Sequence, residues 1–545
     1  MFAILLTLAV GGSLIAPLAS ANTVRIGDRR DPIGQHDIRR MVVDNTGDQV
    51  GATVYHRGRR WDGSVQMSFN VRGGPRAEYV AVVQHARPAK ASFRLANGRP
   101  WRCGARWAFS RPDRRKTSVT GSRRCFAGAT FVSVRVTVTS PKHKADSTAS
   151  RRVPQQTRPN VVMIMVDDMR ADDIRYMPWT RRLIGGRGVT FANSFAPHPL
   201  CCPARASILR GQYTHNHRVW THKKPYAFPS LNDRSTLATW LRTDGYSTVF
   251  LGKYLNGYGS LPEPGATTGR SVSYVPPGWT DWRASIDGGL PASHPKNGGT
   301  YRFFDTTLSR NGRGFDNYAG RYQTRVYGKL SSQVIRARAA SDRPFFFWAS
   351  YTAPHHGTPR EPDDPKVYDG AGNLVKRMVS TARPNDVKGK FDSVIRNAPG
   401  ATWSPDAASD KPAYLQNDPL SESEKAALLE VTRQRAEALS VVDEQVKRTI
   451  DALAASGELE ETMVVFTSDN GYYYGEHRIP VGKIYPYEEG IRVPLIMRVP
   501  EQYRGGGERI AEIGAPVGNI DLAPTLVEMA RANACSGGGV CRVMD

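Results

Sequence analysis

Residues 161–168 read VVMIMVDD: six apolar residues, most of them β-branched, followed by two aspartates. A run this short and this uniformly apolar fits a strand buried on both faces, as in a parallel sheet covered by helices. The pattern recurs further along. Residues 246–251 and 345–350 are apolar runs of the same kind, and 464–467 lead into Ser468-Asp469-Asn470-Gly471. Helical patterns separate them, at 236–243 and in a long segment that opens with a Ser421/Glu424 capping box and reaches about Leu453. Strands alternating with helices predict an α/β fold built on a doubly wound, mainly parallel sheet, whose ligands gather beyond the carboxyl ends of the strands. Asp167, Asp168, Asp469 and Asn470 all fall at such ends. Taken singly these are weak signals, since Asp-Asn-Gly is commonly a turn. Together they are hard oxygen donors that suit calcium or magnesium better than zinc.

The chain changes character at Pro159. Before it, residues 22–140 carry short alternating runs at 49–55, 64–71, 78–84, 91–95 and 129–139, punctuated by Gly, Asn and Pro. They predict a β-rich accessory domain, a sandwich or small barrel. Residues 141–158 are polar and basic and read as a linker, which leaves 159–545 as the catalytic domain. Stretches 257–325 and 403–419 read as long surface loops that shape a pocket. Residues 1–21 are apolar and end in Ala19-Ser20-Ala21, the pattern of a secretory signal peptide, although a basic leading segment is missing. No later apolar run is long enough for a stable membrane span, so the chain reads as secreted or cell-surface.

Length and charge narrow the class. A chain of 545 residues suggests two or three domains, and a formal charge of +25 favours polyanionic partners. No compact basic run interleaved with aromatics marks a nucleic-acid footprint, so no nucleic-acid partner is expected. Six cysteines in an exported chain invite pairing. Cys103 with Cys125 and Cys535 with Cys541 are plausible bridges, leaving Cys201 and Cys202 unpaired.

Those two lie in residues 200–211, LCCPARASILRG. A helix starting near Pro203 would turn its positive end towards whatever Cys201 holds. Adjacent cysteines rarely bridge each other, and zinc-ligand spacing is absent. On local chemistry alone the pair reads equally as reactive or as structural. The run Cys201-Cys202-Pro203-Ala204-Arg205 with Leu209-Arg210-Gly211, however, resembles the signature of the type I, formylglycine-dependent sulfatases, whose core reads C-x-P-[S/A]-R. The resemblance covers about residues 159–529 and implies the alkaline-phosphatase-like form of the fold. Ala204 stands where the commonest form has serine.

In that family the first cysteine is oxidised to formylglycine, and the match carries this role to Cys201. A formylglycine-generating enzyme is then an implied maturation partner. By the same resemblance Asp167, Asp168, Asp469 and Asn470 bind one calcium ion together with the residue derived from Cys201. The metal would hold a sulfate oxygen and lower the pKa of an aldehyde-hydrate hydroxyl. Arg205, Lys253 in GKYLN and Lys483 in PVGK would contact the formylglycine or the sulfate. His355, in Pro354-His355-His356, is implied as general acid, with His356, His477 and Asn256 as further substrate contacts. Many arylsulfatases read GKWH where this chain has Lys253-Tyr254-Leu255-Asn256. The GKYLN form, the doubled cysteine and Tyr213-Thr214-His215-Asn216-His217 are similar to the N-acetylglucosamine-6-sulfatase branch. A sulfated carbohydrate is thus the implied substrate.

Relatives continue into a small C-terminal β-sheet subdomain where this chain stops at Asp545, so that subdomain reads as missing or truncated. Two rivals stand beside the sulfatase reading: a phosphoester or phosphonate hydrolase on the same scaffold, and a non-catalytic sulfated-glycan-binding protein.

Overall fold

The computed structural model describes residues 158–532 except 342, 402–410 and 504–509, together with residue 534 and the strands between residues 23 and 154. The segment read from sequence as a signal peptide and the cysteines of the expected Cys103–Cys125 and Cys535–Cys541 bridges lie outside the described residues. The chain divides into two compact units, with the boundary at Arg158/Pro159.

In the first unit, two antiparallel sheets share one core. One runs in the order Thr23–Gly27, Ile38–Asn45, Gln49–His56, Lys116–Ser122, Ala108–Ser110; the other runs His143–Ser147, Phe131–Ser140, Ser64–Asn70, Tyr79–Gln84, Lys90–Leu95. Alternate residues of both, such as Val50, Ala52 and Val54 against Val134, Val136 and Val138, fill the space between them. The segment read from sequence as a linker carries two of these strands. His143–Ser147 and Arg151–Pro154 both pair with Phe131–Ser140. Their polar composition hides them, because ladder hydrogen bonding makes no demand for an apolar run.

In the second unit an eight-stranded sheet runs Asp281–Ala284, Ser247–Gly252, Phe345–Ser350, Asn160–Val166, Thr462–Ser468, Leu495–Arg498, Val189–Phe191, Glu512–Ile513. The first five strands are parallel. Leu495–Arg498 runs against its neighbours. Asn160–Val166 sits between two parallel strands and is buried along its whole length, as its unbroken apolar run predicts. Val162, Ile164 and Val166 pack into one cluster with Val326, Leu330 and Val334 of helix Gln323–Ala339 and Leu439, Val442 and Val446 of helix Glu422–Ala455. Ser421 caps the latter in the expected box.

Helix Gln323–Ala339 has no counterpart in the sequence reading. Gly328 in its middle weakens the helical pattern, yet the structure needs a glycine there. A Cβ on Gly328 would lie 2.1 Å from Oε1 of Gln445 on the neighbouring long helix. The stretch 257–325 also differs from a surface loop. Trp282 and Tyr258 are fully buried, and the indole of Trp282 donates to the Tyr258 hydroxyl at 2.7 Å. Phe250 and Tyr254 pack on Trp282 at 4.8 and 4.9 Å. The aromatics supply the burial that the Gly- and Pro-rich backbone does not.

Gly252 ends the strand that leads into Lys253. It sits at φ 102, and a Cβ there would lie 2.0 Å from the Ser350 carbonyl oxygen on the adjacent strand. Gly252→Ala is therefore expected to destabilise the fold by about 3 kcal/mol or more. Gly245→Ala, at φ 90 but in open space, should lose only about 1 kcal/mol. Equal denaturation midpoints for the two variants would refute the crowding at Gly252.

Candidate active site

Strands Asn160–Val166 and Thr462–Ser468 are adjacent, parallel and in register, with Val166 opposite Ser468. Asp167-Asp168 and Asp469-Asn470 therefore leave the sheet side by side. Asp168 turns at φ 67, a left-handed conformation that aspartate tolerates better than most residues. Local bonds fix the turn. Asp469 Oδ1 accepts from the backbone N–H of Asp168 at 3.1 Å and of Asn470 at 2.9 Å. The Asn470 side-chain amide donates to Asp168 Oδ1 at 2.8 Å.

Helix Cys201–Arg210 begins two residues earlier than the proline suggested, with Cys201 as its first helical residue, and ends at Gly211 with φ 61. Pro203 stays in the first turn, where its missing N–H costs nothing. The Cys201 thiol lies 3.2 Å from Asp167 Oδ1 and 3.7 Å from Asp168 Oδ1. Lys483 Nζ donates to its sulfur at 2.8 Å. Cys202 is buried behind it, its sulfur 3.7 Å from the Asn256 carbonyl. Both thiols are free.

Each aspartate has its own cation. Lys253 donates to Asp167, Lys483 to Asp168, and Arg205 Nε to Asp469 at 2.7 Å. Arg205 also donates to the Lys253 carbonyl at 2.7 Å and to the Ser350 hydroxyl at 2.8 Å. Fully buried, it braces the strand ends from behind, whereas Lys483 also lines the cavity in front. Burial alone would raise the Asp167 and Asp168 carboxyls. The surrounding basic groups together outweigh it, Lys253 with His355 and Arg205 at Asp167 and Lys483 with Arg435 and Lys253 at Asp168, and hold both well below the usual carboxylate range. At Asp469 burial prevails, reinforced by Asp167, and lifts the carboxyl to about 6 despite Arg205. Burial, then Asp167, pushes the Cys201 thiol well above its ordinary value, so unmodified Cys201 is a neutral thiol.

His355 is buried, and its Nδ1 lies 2.7 Å from the His356 carbonyl. A carbonyl only accepts, so Nδ1 carries the proton and Nε2 turns its lone pair towards Asp168 Oδ2 at 3.5 Å. Burial pushes this imidazole well below its ordinary pKa. His356 stacks on it at 4.1 Å. The Asn256 side chain donates to the Tyr301 hydroxyl at 2.7 Å. His355, His356, Asn256 and Lys483 all line one cavity of about 620 Å³. His477 is not among its lining residues. It bonds Glu489 at 3.0 Å and stacks on Tyr487.

Three residues of the site are absent from the sequence reading. His222 lines the cavity and accepts from the Cys202 N–H at 3.4 Å. Tyr301 lies 5.1 Å below Lys253 Nζ and 4.7 Å from the His355 ring. Arg435, mid-helix and fully buried, donates to the Asp168 carbonyl and, at 2.8 Å, to the Pro354 carbonyl. Nothing near His222 or Tyr301 in the sequence marks them. Arg435 was legible only as a basic residue on a face that the long helix otherwise buries.

Donor atoms of Asp167, Asp168, Cys201 and His355 all lie within 4.8 Å of one another. Asp168 Oδ2 and Asn470 Oδ1 are buried with no hydrogen-bond donor. Orphaned buried oxygens beside paired carboxylates are the donor set of a hard divalent cation, so the residues fit one. Of the five residues expected as ligands, Asp469 already spends both oxygens, on Arg205 and on two backbone amides.

A family model described as Sulfatase matches residues 159–532. The N-acetylglucosamine-6-sulfatase of Capra hircus is 31% identical over 386 residues, covering 68% of this chain and 60% of that protein. The arylsulfatase of Volvox carteri is 31% identical over 391 residues, covering 69% and 56%. The protein named extracellular sulfatase SULF-1 homolog of Drosophila melanogaster is 28% identical over 407 residues, covering 72% and 32%. The chain thus spans about a third to three fifths of the length of these relatives. With that match covering residues 159–532, which carry the aspartates, Cys201 and the two lysines, the chain belongs to the sulfatase family.

Proposed function

We propose that this chain is an exported sulfatase that hydrolyses a sulfate ester of a carbohydrate, such as N-acetylglucosamine 6-sulfate. The observation that carries the reading is Cys201 itself, held at a helix N-terminus between Asp167 at 3.2 Å and Lys483 at 2.8 Å beside a cavity. Export is supported by the apolar segment ending Ala19-Ser20-Ala21 and by relatives named extracellular. Among the described residues no helix is long and apolar enough to cross a membrane. Oxidised to formylglycine by a maturation enzyme, Cys201 would supply a hydrated aldehyde as nucleophile, and one calcium ion on Asp167, Asp168 and Asn470 would polarise it and the sulfate.

The chain's own groups do the rest. Lys253 and Lys483, both protonated, place positive charge where sulfuryl oxygens gather negative charge. The first N–H groups of helix Cys201–Arg210 add to that field. His355 is the group positioned to protonate the leaving sugar oxygen from Nε2, since its Nδ1–H is committed to the His356 carbonyl. Free, it is neutral at pH 7. A bound sulfate ester, an anion close to the ring, raises its proton affinity when the proton is needed.

A peptide mass spectrum across Cys201, on protein from its native host, should show a loss of about 18 Da for conversion of CH₂SH to CHO. Unmodified cysteine in that sample would favour the glycan-binding reading instead. His355→Ala should lower kcat for an alkyl sugar sulfate by about 10²–10⁴. Nitrophenyl sulfate, whose leaving group needs no proton, should lose far less; equal losses would remove His355 from the role of acid. Added calcium should raise Tm by an amount that grows with the logarithm of its concentration above Kd, and Asp168→Asn should abolish that rise. A Tm indifferent to calcium would sink the metal assignment.

A further inference from the structure

The mouth of the cavity carries two arginines that hold nothing. Arg360 lies four residues beyond His356, and Arg377 ends strand Leu374–Arg377; both are exposed and both line the cavity. Among the described residues neither guanidinium has an ion-pair or hydrogen-bond partner, although carboxylates are close in sequence. Those carboxylates are already committed. Glu361 and Asp363 are held by Arg383 at 2.6 and 2.7 Å, and Lys388 adds a second cation 2.9 Å from Glu361.

Both arginines are also aimed. Strand Leu374–Arg377 alternates sides, so Lys376 turns to Glu424 at 3.0 Å while Arg377 turns to the cavity. The loop carrying Arg360 is anchored to the wall of the site. Phe303 N–H donates to the Thr358 carbonyl, and Thr358 N–H to the Tyr301 carbonyl, each at 2.8 Å. Among the described residues the lining's one acid is Asp364, whose half-buried carboxyl is raised by burial and can accept from a sugar hydroxyl. Val379 and Ile484, 49% and 63% exposed, give the same cavity an apolar surface that suits a pyranose face. At about 620 Å³ the cavity is larger than one sugar sulfate requires.

We propose that Arg360 and Arg377 form an anion subsite that reads a second negative group, carboxylate or sulfate, on the sugar adjoining the one that bears the scissile ester. This rests on the sulfatase reading and narrows its substrate to polyanionic oligosaccharides. The two arginines determine specificity. Neither is bonded to Cys201, His355 or the lysines among the described residues, and neither takes part in bond cleavage. Planar guanidinium groups suit either anion, with paired N–H donors and a weak hydration shell.

The test uses the full chain with Cys201 converted, comparing wild type with Arg360→Gln, Arg377→Gln and the double variant. Four substrates separate the possibilities: nitrophenyl sulfate, and three 6-O-sulfated glucosamine disaccharides whose partner sugar is neutral, a uronate, or itself sulfated. Wild type should prefer one or both charged disaccharides over the neutral one by about 10-fold or more in kcat/KM. Whichever is preferred identifies the second group. The double variant should erase that preference through KM, with nitrophenyl sulfate and the neutral disaccharide unchanged within about 2-fold. A wild type indifferent to the second charge, or a double variant equally impaired on nitrophenyl sulfate, would overturn the subsite. Should wild type turn over none of the four, the sulfatase reading itself fails. Calorimetric Kd values of the disaccharides on Cys201→Ala protein then judge the subsite alone. Tighter binding of a charged disaccharide that the double variant loses upholds it, and equal affinities reject it.

Discussion

Burying carboxylates within reach of one another is among the most costly things a protein can do. This fold does it three times at the edge of one sheet, with Asp167, Asp168 and Asp469 all fully buried. Each is tolerated because a cation stands against it: Lys253, Lys483 and Arg205. Those cations come from three separate parts of the chain. Arg205 comes from the helix that begins with Cys201, Lys253 from the end of strand Ser247–Gly252, and Lys483 from a loop beyond strand Thr462–Ser468. Ion pairing thus ties the signature helix, the central strands and the cavity loops together. The cluster is also close to neutral as it stands, so it can accept a divalent cation and a sulfate ester together without building up a large uncompensated charge.

The same arrangement explains why Arg205 and the two lysines, alike in charge, are placed so differently. A guanidinium has five donors in a fixed plane and can bond Asp469, a backbone carbonyl and Ser350 at once. It suits a bracing position with no solvent. An ammonium is a compact point charge on a flexible stem, suited to a site where the partner changes as substrate arrives. Arg435 repeats the bracing role on the other side. It holds the carbonyls of Asp168 and Pro354 and stacks on Tyr472 at 3.7 Å, so the histidine loop and the aspartate turn share one anchor.

Much of this was legible because burial on both faces leaves an unmistakable trace. The runs at 161–166, 345–350 and 464–467 are apolar throughout, so the polar residues just beyond their ends stand out against them. Residues that act from within a strand end or a short motif, such as Asp167, Cys201, Lys253 and His355, inherit that clarity. His222 and Tyr301 do not, for their two stretches follow no period, and the bonds that place them, from the Cys202 N–H to His222 and from Asn256 and Thr358 to Tyr301, join segments the sequence keeps apart. Helix Gln323–Ala339 was obscured by Gly328, a glycine chosen for interhelical contact at the expense of helical propensity. The strands at 143–154 were obscured because edge pairing asks little of side chains.

The distances along the chain carry a consequence for the making of the protein. Cys201 meets Lys483 across 282 residues, and Asp168 meets Asn470 across 302. Strand Thr462–Ser468 lies inside the sheet, next to Asn160–Val166, so the sheet's carboxyl edge is incomplete until the ribosome has passed it. Through all of that synthesis the segment around Cys201 has no finished wall to close over it; afterwards the thiol is sealed, with 0% of its surface exposed. Topology therefore acts as a timer. On the maturation proposed above, an enzyme acting on Cys201 would have an interval set by the order of translation, and the completed fold would end it.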